Sequence, residues 1–192
     1  SCGVDLLTLS AHKFYGPKGT GCLYVRDGVK ITPLLNGGKQ ERGRRAGTEN
    51  VPGIIGMTVA LDIVCNEMWE ENKRLAGLRD LLQTGILQSI PGARVNGHLK
   101  NRLDSYLNVL LPQVEARAML VALDQMGIEC SAGSACSTGS IHPSHVLMAM
   151  GLSEQEAGCA LRFTLGASTT KEQILYTLEC LEKICIRCKK NN

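Results

Sequence analysis

Residues 4–26 read VDLLTLSAHKFYGPKGTGCLYVR and divide into three parts. Val4–Ser10 is a short apolar run that closes on polar residues, as a buried strand does. Gly16–Gly21 (GPKGTG) is rich in turn formers, and Cys22–Arg26 returns to an apolar pattern. The stretch is therefore a strand–loop–strand unit. Ser10, Ala11, His12 and Lys13 stand where its first strand ends, the position at which α/β proteins usually bind ligands.

Downstream, residues 36–50 (NGGKQERGRRAGTEN) form a polar, glycine-rich loop with almost nothing to bury, as surface binding loops do. Helical spacing then begins. Ile54, Met57, Leu61 and Val64 define one predicted helix, and Leu75, Leu78, Leu82 and Ile86 a second, which Pro91–Gly92 stops. The charged stretch Glu67–Arg74 separates them and suggests a domain boundary near Glu67, giving pieces 1–66 and 67–192. Strands are expected near Tyr106–Leu111, Ile128–Ser131 and Ala160–Leu165. Helices are expected near Glu115–Met126, from Pro143, and from Thr170, where Thr169 and Glu172 have capping-box spacing. Alternating strands and helices argue for α/β layering, with the first piece cut short.

Composition narrows the function. The chain has 192 residues, 44% hydrophobic and 20% charged, which suits a globular protein. A net charge of +3, with scattered basic residues, is too small to argue for nucleic-acid binding. Apolar runs fall short of the roughly 20 residues of a membrane span, and no secretory signal opens the chain at Ser1. Nine cysteines, an odd number at irregular spacings, read as reduced thiols rather than a disulfide framework.

Four constellations could carry chemistry. In Ser10-Ala11-His12-Lys13 the lysine amine can join an aldehyde cofactor, while the hydroxyl and imidazole can hold a phosphate. By itself the pattern also fits a solvated loop lysine. Cys136 sits in SAGSACSTGS (131–140), with no large apolar neighbour, as suits an exposed thiol that must reach a substrate. A small-residue turn that happens to hold a cysteine reads the same way. Arg162 lies inside the apolar run LRFTL and needs a carboxylate, from the protein or from a ligand. RGRRAGT (42–48) could offer donors to a phosphate, or be a solvated basic loop.

The order of these motifs is more specific than any one of them. Ser-x-His-Lys, Tyr-Gly-Pro-Lys-Gly, Arg-x-Gly-Thr, Gly-Ser-Ala-Cys and Arg-Phe-x-Leu-Gly, in that sequence, resemble the NifS-like cysteine desulfurases of the class-V aminotransferase family. The resemblance runs from about Val4 to Leu178. It implies the end of a large type I domain that binds pyridoxal 5'-phosphate (PLP), then a smaller C-terminal α/β domain. It also implies a cytoplasmic homodimer that takes sulfur from L-cysteine, leaves L-alanine, and passes persulfide sulfur to an acceptor or scaffold protein. Iron–sulfur cluster assembly or tRNA thiolation would use that sulfur. Under the resemblance Lys13 is the Schiff-base lysine, Ser10 and His12 contact the cofactor phosphate, and Thr48 reaches the phosphate of the neighbouring subunit's cofactor. Cys136 is the nucleophile that becomes a persulfide, and Arg162 holds the substrate carboxylate. The loop GSACSTGSIHPSHV resembles the group with an extended, mobile persulfide loop.

The resemblance has one serious gap. The family's cofactor-stacking histidine and the aspartate that pairs with the pyridinium nitrogen lie well upstream of the lysine, and only 12 residues precede Lys13. The activity is therefore expected of a longer parent, and the chain alone is not expected to show it. The rival within the same chemistry is a selenocysteine lyase. The rival of another class is an inactive fragment or a sulfur-accepting interaction domain. Minor patterns have simpler readings: Cys180, Cys185 and Cys188 as packing and tail thiols on a helix, and His142–His145 as a helix start with Pro143 at its first position. No metal site is expected.

Overall fold

Leu6–Ser10 (β1) pairs antiparallel with Gly21–Val25 (β2), Leu6 opposite Val25 and Ser10 opposite Gly21. The computed structural model describes residues 3–112, 114–132 and 143–190, the last three by backbone alone. The chain divides into two compact units, Ser1–Trp69 and Glu70–Asn192.

In the first unit the segment between β1 and β2 opens with a 3₁₀ turn at Ala11–Phe14. The Ala11 N–H donates to the Thr20 carbonyl at 3.0 Å, and the Gly16 N–H donates to the Ala11 carbonyl at 2.9 Å. Gly16 is required there, because a Cβ would lie 2.9 Å from the Cβ of Ala11. Tyr15 closes the turn in the left-handed region at φ 68°. The buried apolar side chains described in this unit are Ala11, Met57 and Ala60, whereas Leu6, Leu7, Leu23 and Tyr24 are exposed.

Val51–Ser89 form one continuous helix, α1, where the sequence suggested two. The charged stretch 67–74 (EMWEENKR) contains no glycine or proline, and its Glu, Met, Lys and Arg are good helix formers. Such a stretch is a solvated helical face and does not break the helix. The membrane argument is corrected here too. Although no apolar run is long, α1 contains a window of mean hydropathy 1.4 and is long and apolar enough to cross a bilayer by length and composition. Gly53, Gly56, Thr58 and Asp62 interrupt its apolar runs, while the Ile, Val, Leu, Met and Ala between them keep the average high. Asn50 starts α1, accepting from the Gly53 N–H at 3.2 Å through its side-chain oxygen.

The second unit is built on a three-stranded antiparallel sheet in the order β3-β4-β5: Arg94–Val95, Tyr106–Leu110 and Ala160–Thr164. The short β3 was not foreseen. Tyr106 faces Thr164, Asn108 faces Arg162 and Leu110 faces Ala160. Because side chains alternate across a strand, Leu107, Val109, Leu161 and Phe163 share one face and Tyr106, Asn108 and Arg162 the other. The first set is in the core, joined by Leu82 and Ile86 of α1 and by Met119 and Leu123 of α2 (Ala116–Asp124). Ile174, Leu181 and Cys185 of the final helix complete it. The strand expected at Ile128–Ser131 reduces to one bridge, Ser131 against Arg162, on the edge of β5 away from β4.

Two short helices, α3 (His145–Ala149) and α4 (Glu154–Ala157), lead back to β5. Helix α3 begins two residues after Pro143, which thus lies outside it, with Ser144 at the N-cap. Ser153 and Glu156 form a capping box at α4 that the sequence reading missed, and these bonds hold the Glu156 carboxyl below its ordinary pKa. The last helix, α5 (Lys171–Lys190), is capped one residue later than expected. Thr170 and Gln173 exchange the capping bonds, at 2.9 and 3.3 Å. Thr169 turns instead to accept from the Gly166 N–H at 3.0 Å. Cys180 and Cys185 are buried packing residues, as their helical spacing suggested.

Candidate active site

The residues singled out in the sequence fall into three groups. Ser10, His12 and Lys13 come together on the turn after β1, and all three side chains are exposed. Thr48 is also exposed, in the same unit, on the loop that leads into α1. That loop is ordered locally: the Gly47 N–H donates to Gln40 Oε1 at 3.2 Å, and the Ala46 N–H donates to the Leu35 carbonyl at 3.2 Å. Glu41 and Arg42 there hold left-handed backbone at φ 51° and 57°. Cys136, with His142 and the segment 133–142, lies outside the described residues.

Chemically, Lys13, His12 and Ser10 form a set that fits two parts of PLP: an amine for the aldehyde, an imidazole and a hydroxyl for the phosphate. The backbone bonds that close the turn leave those three side chains without a packing role, since only Ala11 of the four-residue turn is buried.

In the second unit, Arg162 lines a cleft of about 380 Å³ formed by the polar face of the sheet, the 96–102 loop and α3. Its guanidinium carbon lies 5.9 Å from the centre of the Tyr106 ring. Its Nε is buried and has no hydrogen-bond partner among the described residues. The described lining contains two arginines, Arg102 and Arg162, and no carboxylate. Arg102 donates to Gln83 Oε1 at 2.6 Å and lies 3.6 Å from Asp80, and its Nε is likewise buried with no partner among the described residues. Desolvation lowers the pKa of Arg102. His98, also lining the cleft, accepts at Nδ1 from the Lys100 and Asn101 N–H groups at 3.0 and 2.9 Å, which folds the loop around it. The result is a positively charged concavity with a donor-rich wall, suited to a small anion.

Sequence reasoning singled out Arg162 but not Tyr106, Asn108 and Asn96, which line the same cleft. The signal was present in YLNVL, where tyrosine and asparagine alternate with core residues and so had to face something polar. Next to the cleft, Ser131 and Arg162 exchange backbone bonds at 3.1 and 2.6 Å. The preceding Cys130 is mostly buried, which pushes its thiol up to about 11 and keeps it protonated and inert at neutral pH.

The end of β5 is fixed from α1. Arg74 donates to the carbonyls of Thr169, Gly166 and Ala167 at 2.7, 3.3 and 3.2 Å. Glu71 grips the same guanidinium through both oxygens, each at 2.7 Å, and its carboxyl pKa is lowered by that bond.

Comparison with known proteins matches this architecture. The family described as "Aminotransferase class-V" covers residues 1–176. The cysteine desulfurase IscS of Dictyoglomus turgidum is 50% identical over 182 residues, covering 95% of this chain and 46% of its own length. A cysteine desulfurase of Gluconacetobacter diazotrophicus is 45% identical over 187 residues, covering 97% and 47%. Among solved structures, a NifS-like protein superposes with a TM-score of 0.85 at 38% identity, over 95% of this chain and 46% of its own. The NifS-like protein of Rickettsia africae gives 0.84 at 31%, over 95% and 48%. The chain thus spans about half the length of the curated relatives it matches. The chain belongs to the class-V aminotransferase family, and its homologues there are the PLP-dependent, NifS-like cysteine desulfurases.

Proposed function

We propose that this chain is the part of a PLP-dependent cysteine desulfurase that carries its lysine, its sulfur-accepting cysteine and its substrate arginine. The observation that carries this reading is Arg162: a guanidinium in a cleft without a described carboxylate, its Nε buried and without a partner among the described residues. A guanidinium whose Nε is buried without a partner among the described residues gains from an anion that supplies one. The carboxylate of L-cysteine is such an anion, and a planar guanidinium can grip it with two parallel bonds.

The remaining roles follow the same order along the chain. Lys13 would hold the cofactor through its amine and, once free, move protons at the substrate carbon atoms. Ser10 and His12 would donate to the phosphate, with Thr48 reaching that of the partner subunit in a homodimer. Bound PLP supplies an electron sink for the substrate amino acid. Cys136 takes the sulfur of L-cysteine on its Sγ, so that cysteine plus enzyme thiol gives L-alanine plus enzyme persulfide. That sulfur would pass to an acceptor or scaffold protein, for iron–sulfur clusters or tRNA thiolation, in the cytoplasm. Ser1–Trp69 would then be the end of the PLP-binding domain and Glu70–Asn192 the small domain.

Arg162→Ala and Arg162→Lys in the complete, PLP-loaded protein test the reading. Both are expected to lose L-cysteine turnover and keep the visible cofactor band, because a lysine point charge cannot reproduce the two-bond grip. Full turnover in either variant would reject it. Comparing alanine release from L-cysteine and L-selenocysteine separates the desulfurase from a selenocysteine lyase.

A further inference from the structure

We infer that Asn108 is a second substrate-binding residue, donating its side-chain amide to the carboxylate that Arg162 holds, and that Asn96 is the positioning residue that orients it. The inference deepens the proposed function and rests on its assignment of Arg162.

Asn108 and Arg162 are directly opposite on β4 and β5, so their side chains leave the sheet on the same face. Both line the cleft. An asparagine can turn either its carbonyl or its amide toward a neighbour, and here Asn108 turns its carbonyl oxygen to Asn96. Asn96 donates from Nδ2 to Asn108 Oδ1 at 2.7 Å, across the β3–β4 edge where the Asn96 N–H also bonds the Asn108 carbonyl at 2.9 Å. With Oδ1 engaged, the Asn108 amide N–H groups remain, and they meet no acceptor among the described residues. A donor-only group beside a guanidinium whose Nε has no partner among the described residues does not compensate it: both call for an acceptor. One carboxylate supplies it, with two oxygens and about four acceptor sites. Tyr106, two residues before Asn108 on the same face, places its ring 5.9 Å from the guanidinium carbon.

This arrangement also selects against other ligands. An amine without a carboxylate would leave both the guanidinium and the amide unsatisfied, so the pair acts on specificity as well as affinity.

The test uses the complete, PLP-loaded protein and two amine probes with no sulfur to give up, L-alanine and L-alaninol, the latter lacking the carboxylate. Dissociation constants are read from the change each causes in the cofactor spectrum. Asn108→Ala is expected to weaken L-alanine about ten-fold or more while leaving L-alaninol unchanged, as for a lost bond to a charged group. Asn108→Asp is expected to weaken L-alanine further, since the new carboxylate would occupy Arg162 and repel the ligand. Asn96→Ala should weaken L-alanine by a smaller factor, again without touching L-alaninol. If Asn108→Ala does not fold, Asn108→Ser carries the same expectation. Unchanged L-alanine binding in Asn108→Ala, with loss in Arg162→Ala, overturns the inference and leaves the desulfurase reading standing. Equal weakening of both probes makes Asn108 structural and overturns it as well. Intact L-alanine binding in Arg162→Ala removes the reading on which the inference rests.

Discussion

The two units of this chain handle apolar surface in opposite ways. In Glu70–Asn192 the sheet faces a core in which Leu82, Leu107, Leu123, Leu161 and Leu181 are at most 1% exposed. In Ser1–Trp69 the hairpin and the start of α1 leave Leu6, Leu7, Leu23, Tyr24, Ile54 and Ile55 at 42–59%. Both are built from similarly apolar strands and helices. The difference is that one sheet face in the second unit meets helices on its own chain. Leu6 and Leu7 leave opposite faces of the hairpin, so both faces carry exposed apolar side chains of the kind that other protein surface covers. We expect that cover to come from the rest of the protein, consistent with relatives about twice as long. The 192-residue chain alone should therefore hold PLP poorly and release no sulfide from L-cysteine.

The largest effect should appear in amide exchange of the isolated chain. Amides of β4, β5 and α5 should approach global protection, whereas those of β1 and β2 exchange close to the rate of a frayed segment. Equal protection of both units would dissolve the contrast. Next come core truncations. Leu82→Ala and Leu161→Ala should each lower stability by about 2–5 kcal/mol in denaturant titration. Leu34→Ala, at a residue 93% exposed in the first unit, should stay within about 0.5 kcal/mol.

What the sequence revealed follows the same division. Strand and helix periods in the second unit were readable because one face of each element is buried, and its helices α2 and α5 were found within a few residues. In the first unit the apolar spacing of Ile54, Met57 and Leu61 was real, but only Met57 is buried, so periodicity there reports a surface rather than a core. The single helix α1 was split in reading because charge was taken as a boundary, although the good helix formers of that stretch carry the helix through it. Lys13 and Arg162 were legible as chemistry out of place: a lysine at a strand end and an arginine among core residues. Asn108 was legible only as a polar residue alternating with core ones; its place opposite Arg162 needed the strand register. The Arg74 clamp was equally hidden, since it links residues about ninety positions apart.

That clamp gives the smaller predictions. Arg74→Ala removes three bonds to the turn after β5 and should cost about 1 kcal/mol, read in the same titration. Glu71, whose carboxyl pKa is lowered by Arg74, contributes stability present above its ordinary value of 4.5 and lost as pH falls through the lower folded value. Because the pair is about a third exposed, Glu71→Gln should cost only about 0.5 kcal/mol near neutral pH and nothing at low pH. A cost independent of pH would assign Glu71 a packing role instead.

The most direct test of the whole account is where sulfur goes. The complete protein, treated with L-cysteine and mapped by peptide mass spectrometry, should carry one extra sulfur on the peptide containing Cys136. Cys130, its thiol held protonated by burial, and the core residues Cys180 and Cys185 should carry none. Labelling of a tail cysteine in place of Cys136, with Cys136→Ala still releasing alanine, would contradict it.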